Sequence, residues 1–439
     1  MRIDRYFEEA EKLGIKPYEV SFLKRREVSV DTFNDRIEDQ QIGETSTLGG
    51  KGIFRGRLGS FSSDAISSDS PKILAEKVKE SAAFGKKYKA EYFCPGGLKY
   101  RKVKASQSEF RESDLRKIRE ACLDLYPKIK NRDSRIESVQ LSVSMFQLSF
   151  RKANSLGLDV SKKNAIYQFY IVVNGVDQNQ DRRSGEGKTS SVVSLEDLLK
   201  KAETAIDDAI NGALDFFGSK PVKSGNYPVI FNPSCFSILL GVFLSQFNAK
   251  DIQKKTSNFV GMKNRLVASR ALTIENVPHK VSPGCSAFDA EGYPTSEFTI
   301  IQNGVLKDYF YSIETARKAH RDSNGCACGG GNGSYQLISV ESGKKSFSDL
   351  LLEMKDGLYI TDISGLNSGL DPQTLDFSLP CVGYLVKDGK IQKAVSMIAI
   401  AGNLKDVFRN LASLADDVRL RSGMYVPSVL ISEIMVSGS

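Results

Sequence analysis

The stretch from Tyr227 to Phe247 leaves this chain the least freedom. Tyr227-Pro228-Val229-Ile230-Phe231 reads as a short apolar strand, and after Asn232-Pro233 the segment Ser234 to Phe247 is apolar on nearly every side. Asn232 has the side chain of an N-cap, and Pro233 suits the first helical position, where its missing N–H costs nothing. A helix that is apolar all round has to be buried, so the second half of the chain must be built around it. It carries no obvious chemistry, because Gly241, Val242, Ser245 and Gln246 offer neither a histidine nor a carboxylate.

A chain of 439 residues exceeds one ordinary core and implies two domains. The polar Gly218–Asn226 break, with Pro221 and Gly225, places the boundary there: 1–222 and 223–439. The net charge of +8 is spread among mixed signs, as in Arg111-Glu112-Ser113-Asp114-Leu115-Arg116. With no zinc-finger spacing, basic tail or RNP-like aromatics beside it, that pattern argues against direct nucleic-acid binding. The seven cysteines are odd in number and widely spaced, which does not describe a disulfide framework. No run reaches the length of a membrane span and the N-terminus lacks an apolar signal core, so a cytoplasmic protein without a membrane partner is expected. Only two histidines occur, His279 and His320, and a catalytic zinc site usually draws on more.

Along the first half, periodicity predicts a helix over 2–14, strands near 19–23 and 28–33, glycines at 49–59 that could provide tight turns, bulges or close backbone approach, and a helix over 71–83 capped by Ser70. An irregular tyrosine-containing arm over 87–110 and a helix over 111–126, ended by Pro127, come next. Two long alternating strands at 136–150 and 167–173, joined by residues 154–162, give an antiparallel sheet with one wet face. Arg182-Arg183-Ser184-Gly185-Glu186-Gly187-Lys188-Thr189 lacks the first glycine of a phosphate loop and reads as a solvent turn. A helix from Ser194, with Asp197 as its capping-box partner, runs towards Phe217.

In the second half, Asn303-Gly304 and Asp388-Gly389 stand between strand-like pieces and predict two hairpins. Helices are expected at 345–355 and 403–415, and a last strand at 428–436. The whole is α+β: an N-terminal helix and antiparallel-sheet domain, then a C-terminal domain with a large curved or barrel-like antiparallel sheet plus helices.

Candidate sites remain open at this level. Cys326-Ala327-Cys328, followed by Gly329-Gly330-Gly331-Asn332, is either a redox or soft-metal pair, a flexible loop with incidental thiols, or a glycine-rich surface for a bound backbone. Asp289-Ala290-Glu291-Gly292 offers two carboxylates, or an ordinary exposed turn. Asn367-Ser368-Gly369 with Asp371 and Asp376 suggests a shaped loop. His320 reads as a surface residue at a helix end, and His279 has no partner visible in sequence.

Several of these pieces, in this order and spacing, resemble the TldD/PmbA family, also called TldD/TldE, whose members were named as modulators of DNA gyrase and are associated with metalloprotease action. They are Gly52 to Ser63, the helix around 236–250, Asp289-Ala290-Glu291-Gly292-Tyr293-Pro294, Asn303-Gly304-Val305-Leu306-Lys307-Asp308-Tyr309, Gly365-Leu366-Asn367-Ser368-Gly369, Asp376-Phe377-Ser378 and the strand from Pro427 to Val436. In TldD-type members the buried helix carries a histidine-glutamate, three-residue gap, histidine motif, and a later cysteine helps to bind the metal. Here those helix positions hold Gly241, Val242 and Gln246, and Arg419-Leu420-Arg421-Ser422-Gly423 has no counterpart of the cysteine. The resemblance therefore implies the PmbA/TldE branch: a subunit with no catalytic residue and no bound metal, zinc being held by a TldD-like subunit that cleaves flexible or unfolded peptides. It also implies a peptide cleft lined by loops that include Asp289, Glu291, Cys326, Cys328, Asn332, Asn367 and Asp371. A self-contained metallopeptidase with an atypical site, and a homodimeric scaffold or regulator, are the alternatives; a homodimer in isolation fits either.

Overall fold

The computed structural model describes residues 3–104 and 112–438, so the end of the expected arm (105–110) and the expected helix start at 111 lie outside the described residues. The chain divides into two compact units: residues up to Asp215 with 281–283 and 291–294, and the remainder from Phe216.

The first unit runs α1 (Ile3–Lys12), β1 (Tyr18–Phe33), β2 (Arg36–Phe54), β3 (Arg57–Ser63), α2 (Ser70–Ala82) and α3 (Glu112–Lys130). It continues with β4 (Ile136–Asn154), β5 (Asp159–Val176), β6 (Arg182–Ser191) and α4 (Leu195–Leu214). All six strands form one antiparallel sheet in the order β3-β2-β1-β4-β5-β6. Alternate residues such as Val28, Val30, Val143, Met145, Phe169 and Ile171 are buried, the period-2 pattern of a half-covered sheet.

Several local readings change, and the two strands expected near 19–23 and 28–33 are one, β1. β4 and β5 extend until only residues 155–158 join them. Pro127 lies inside α3, one turn from its end, where the lost N–H removes a single bond from a stretch already close to fraying. Asp69 rather than Ser70 is the N-cap residue of α2. Ser194 caps α4 by accepting from the Asp197 N–H, but the Asp197 carboxylate is bound to Ser191 and Lys201 instead of returning to Ser194, so half of the capping box forms. In the arm, Tyr88, Tyr92 and Phe93 are buried against one another and Ile53.

The expected solvent turn at 182–189 is strand β6. Gly185 and Gly187 are buried because α4 lies on them: a Cβ at Gly187 would stand 1.8 Å from the Ala205 carbonyl oxygen, and one at Gly185 2.0 Å from that of Ala209. The alanines at 202, 205, 209 and 213 supply the matching smooth face of the helix. These glycines serve close packing, and Lys188 points away from it, exposed.

The second unit opens with β7 (Gly225–Phe231), α5 (Pro233–Ser245), α6 (Ala249–Lys254), β8 (Ile274–Asn276), β9 (Phe298–Gln302), β10 (Val305–Leu306) and α7 (Ile313–Lys318). There follow β11 (Ala327–Gly329), β12 (Asn332–Gly333), β13 (Ile338–Val340), α8 (Phe347–Met354), β14 (Gly357–Ile363), α9 (Leu366–Gly369), β15 (Asp376–Lys387) and β16 (Lys390–Asn403). The chain ends with α10 (Leu404–Arg409), β17 (Leu411–Leu414), β18 (Arg419–Arg421), β19 (Met424–Val426) and β20 (Val429–Ser437). The expected helix at 403–415 is thus one short helix and then a strand. Both Asn-Gly and Asp-Gly turns make hairpins, with Asn303 and Asp388 in the left-handed region such turns require.

One sheet has the order β16-β15-β14-β7-β20-β17, and β16 also pairs with β20, which closes five strands into a ring. The second has the order β10-β9-β8-β13-β19-β18. Pairing is antiparallel except at β7–β14 and β13–β19. Helix α5 packs into a core shared by both sheets: Phe236, Leu239, Leu240, Phe243, Leu244 and Phe247 are fully buried among Val229, Leu358, Ile301, Ile338 and Val426. Phe243 stacks on Phe408 at 4.1 Å. Each such side chain contributes roughly 1.5–3 kcal/mol by burial.

Replacing Gly187 with alanine is predicted to lower unfolding stability in urea by about 1–3 kcal/mol, the cost of overpacking. Lys188→Ala should change it by less than about 0.5 kcal/mol, as at an ordinary surface position. A nucleotide-dependent rise in stability that Lys188→Ala removed would restore the phosphate-loop reading.

Candidate functional site around the buried helix

Asn232 caps α5 by accepting from the Cys235 N–H at 2.8 Å and ties it to β14 by donating to the Thr361 carbonyl. Along the helix, a Cβ on Gly241 would lie 3.3 Å from the Met424 methyl and 3.8 Å from the Tyr335 hydroxyl oxygen. Val242 is half-buried against the same core. The β18–β19 hairpin, where the resemblance looks for a cysteine, lies along this helix: the Arg421 Nε donates to the Ser234 Oγ at 2.9 Å, and Met424 is buried.

Gln246 is fully engaged. Its Nε2 donates to the Pro372 carbonyl at 2.7 Å, and its Oε1 accepts from the Asn258 N–H and side-chain amide at 3.1 and 3.2 Å. The surroundings of Gly241, Val242 and Gln246 thus present a thioether, a phenol and a spent amide. That donor set does not fit a zinc ion, which takes thiolate, imidazole or carboxylate ligands. Among the described residues, no group of three or more His, Cys, Asp or Glu side chains is placed to hold a metal.

Two of the candidate loops meet the end of this helix from different sides. Residues 371–374 touch it through Gln246. Hairpin β11–β12 touches the start of α6, where the Asn248 Oδ1 accepts from the Gly333 N–H at 2.9 Å and Lys250 donates to the Gly330 carbonyl at 2.8 Å. Cys328 is exposed, Asn332 half-buried and Cys326 fully buried, and the string forms the short β11–β12 hairpin. Burial pushes the Cys326 thiol well up, which keeps it protonated and inert.

Asp289 is buried and accepts from the Ala327 N–H at 3.0 Å. Glu291 is also buried, in a segment grouped with the first unit, so the expected exposed turn of paired carboxylates is not what forms; the left-handed Gly292 turn lies beyond it. Asn367 and Asp371 are exposed, and Asp371 organises its own loop by accepting from the Gln373 N–H at 2.7 Å.

His279 does have partners. Its ring is buried, with Nδ1 3.2 Å from Glu297 Oε1 and Nε2 3.1 Å from Thr295 Oγ1. Sequence reasoning missed this contact because the partners lie sixteen and eighteen residues away across an irregular connection. His320 is exposed, in left-handed conformation just beyond α7.

Asp308, from the Asn303–Tyr309 stretch, is the strongest ionic centre nearby. Arg321 donates to both of its carboxylate oxygens at 2.6 and 2.8 Å, Lys263 adds a third bond at 2.8 Å, and Arg321 lies over the Tyr311 ring. Burial by itself raises the carboxyl pKa, but these cations outweigh it and hold it below the ordinary range.

Known proteins share this chain's sequence pattern and fold. Residues 224–438 match the PmbA/TldA metallopeptidase C-terminal domain and residues 104–213 the PmbA/TldA metallopeptidase central domain. The chain belongs to the PmbA/TldD family. It is 30% identical to the Metalloprotease PmbA homolog of Buchnera aphidicola over 65% of this chain and 62% of that protein, under two thirds of the relative's length. It is 26% identical to Metalloprotease PmbA of Escherichia coli O157:H7 over 96% of this chain and 92% of that one. A solved Thermotoga maritima chain described as a candidate modulator of a DNA gyrase superposes with TM-score 0.89 at 28% identity, covering 99% of both chains. TldE from Thermococcus kodakarensis shares the fold, with TM-score 0.87 at 19% identity over 99% of this chain and all of that one.

Gln246→Ala is predicted to destabilise the protein by about 1–3 kcal/mol, because it strands the Pro372 carbonyl and Asn258 amide; denaturant melts check this. The Asp308 cluster gives a pH signature. A carboxyl whose folded pKa is depressed contributes stability that is present above the unfolded pKa and lost as pH falls through the lowered folded value. Arg321→Ala should cost about 1.5–3 kcal/mol at neutral pH and flatten the stability–pH curve on the acid side. An unchanged acid limb would contradict that assignment.

Proposed function

We propose that this chain is the non-catalytic, PmbA/TldE-like subunit of a TldD/TldE-type metalloprotease acting on flexible or unfolded peptides. The observation that carries the reading is the state of α5, the helix on which TldD-type members are expected to hold their metal. Here Gly241 faces Met424, Val242 packs into the core and Gln246 is bound to Pro372 and Asn258. Zinc and water activation then belong to a TldD-like partner subunit. This chain's contribution is to shape and close the peptide path.

Among the candidate cleft residues, Cys328, Asn332, Asn367 and Asp371 have the accessibility to meet a peptide, while Asp289 and Cys326 support the hairpin from beneath. An extended substrate held mainly through backbone hydrogen bonds accounts for tolerance of many sequences. The reading places the complex in the cytoplasm; no helix among the described residues is long and apolar enough to cross a membrane. A self-contained metallopeptidase would need ligands that the Asp289 and Cys326 environments do not release.

The test is cleavage of a flexible, fluorescence-quenched peptide by the pure chain, by a TldD-like subunit and by the two mixed. The proposal predicts turnover that depends on the TldD-like subunit and at least a tenfold gain on adding this chain, about 1.4 kcal/mol of transition-state stabilisation. Chelator-sensitive turnover by this chain alone would overturn it.

A further inference from the structure

Around the turn of the β2–β3 hairpin, at Arg55 and Gly56, the first unit holds cations against aromatic rings. The Lys79 Nζ, from α2, lies 4.9 Å from the centre of the Phe54 ring, and the Arg55 guanidinium carbon 5.2 Å from the same centre. The Lys51 Nζ and the Lys86 Nζ each stand 5.1 Å from the centre of the Tyr88 ring, and Lys51 also lies 4.7 Å from that of Phe93. Arg57 donates to the Gly85 carbonyl at 2.8 Å and is joined to Lys87 by a backbone bridge.

A ring attracts a cation through its quadrupole and leaves the charge whole, whereas a carboxylate cancels it. Glu80 and Glu91 are already paired, with Lys77 and Lys89. Among the described residues, Lys51, Arg55, Arg57, Lys79 and Lys87 take part in no ion pair. Beside them stands Phe84, 94% exposed and the least covered large apolar side chain among the described residues. Its N–H donates to the Ser81 carbonyl at 3.2 Å. A Cβ on the next residue, Gly85, would stand 1.8 Å from the Leu58 carbonyl oxygen, so this turn is pressed against β3 and Phe84 projects from a fixed backbone.

An open aromatic ring among uncompensated cations has the makings of a binding surface. The ring and the arginines act as anchors, and the charges select the partner and speed its encounter. We propose that this hairpin tip binds an extended acidic peptide segment in which carboxylates flank an apolar side chain. The apolar group meets Phe84, and the carboxylates meet Arg55, Arg57 and Lys87, all exposed. A single-stranded nucleic acid, the other polyanion to consider, is held by stacking successive bases on successive rings. Tyr88, Tyr92 and Phe93 are buried, so Phe84 is left without a second ring beside it to continue such a stack. The surface does not depend on the protease reading, because binding here needs neither metal nor cleavage.

The experiment is fluorescence anisotropy of the full chain with three labelled probes: a flexible peptide of glutamates around single leucines, its lysine counterpart, and a mixed-sequence oligonucleotide, single-stranded and duplex. The glutamate peptide is expected to bind at least about tenfold more tightly than the other probes, and to weaken by about tenfold between low and high salt as the exposed charges are screened. Lys87→Glu and Phe84→Ser should each weaken it by about fivefold or more, while the circular dichroism spectrum and thermal midpoint of both variants stay unchanged. A glutamate peptide that binds no better than the lysine peptide, an oligonucleotide that binds as tightly, or binding that survives both substitutions together would each overturn the inference.

Discussion

The second unit depends on burying the large apolar side chains of one helix, α5. Phe236, Leu239, Leu240, Phe243 and Leu244 of α5 are covered by two sheets, the closed five-strand ring and the β8–β19 sheet, while Ser234, Ile238, Gly241 and Val242 stay half-buried and Ser245 exposed along one stripe. That demand sets the character of the site. At the end of α5 the buried Gln246 sits where a polar side chain is tolerated only when it is bound. Gln246 meets the condition with three hydrogen bonds, and the bonds that make it tolerable also prevent it from serving as a ligand.

The same constraint explains how the loops are held. The end of α5 is the point where Gln246 fixes residues 371–374 and where Asn248, just past the helix terminus, fixes the β11–β12 hairpin. Loops joined to a rigid helix end are positioned without needing a core of their own, a common arrangement for surfaces that meet a substrate. Asp308, just after the Asn303-Gly304 hairpin, adds an ionic clasp by binding Arg321 beyond α7 and Lys263 before β8.

Much of the fold was legible because it was written in local chemistry. Asn232-Pro233 started a helix, Asn303-Gly304 and Asp388-Gly389 turned hairpins, and unbroken alternation marked β4 and β5. What failed had a common cause. Gly185 and Gly187 looked like turn residues because the helix requiring their smoothness begins in a separate segment, and only the packing of Ala205 and Ala209 reveals the reason. Asp289 and Glu291 looked exposed because carboxylates usually are, and the Ala327 amide that accommodates Asp289 is distant in sequence. For the site, the absence of ligands on α5 could be read directly, whereas the engagement of Gln246 and the partners of His279 depended on long-range contacts.

On the proposed division of labour this chain does not itself hold the metal, because the residues around α5 do not suit one. Equilibrium dialysis of the purified chain against zinc, with elemental analysis of the dialysed protein, tests this most directly. The predicted result is far less than one zinc per chain, unchanged by Gln246→Ala. One tightly held zinc per chain, lost on replacing Gln246, Asp289 or Cys326, would contradict it.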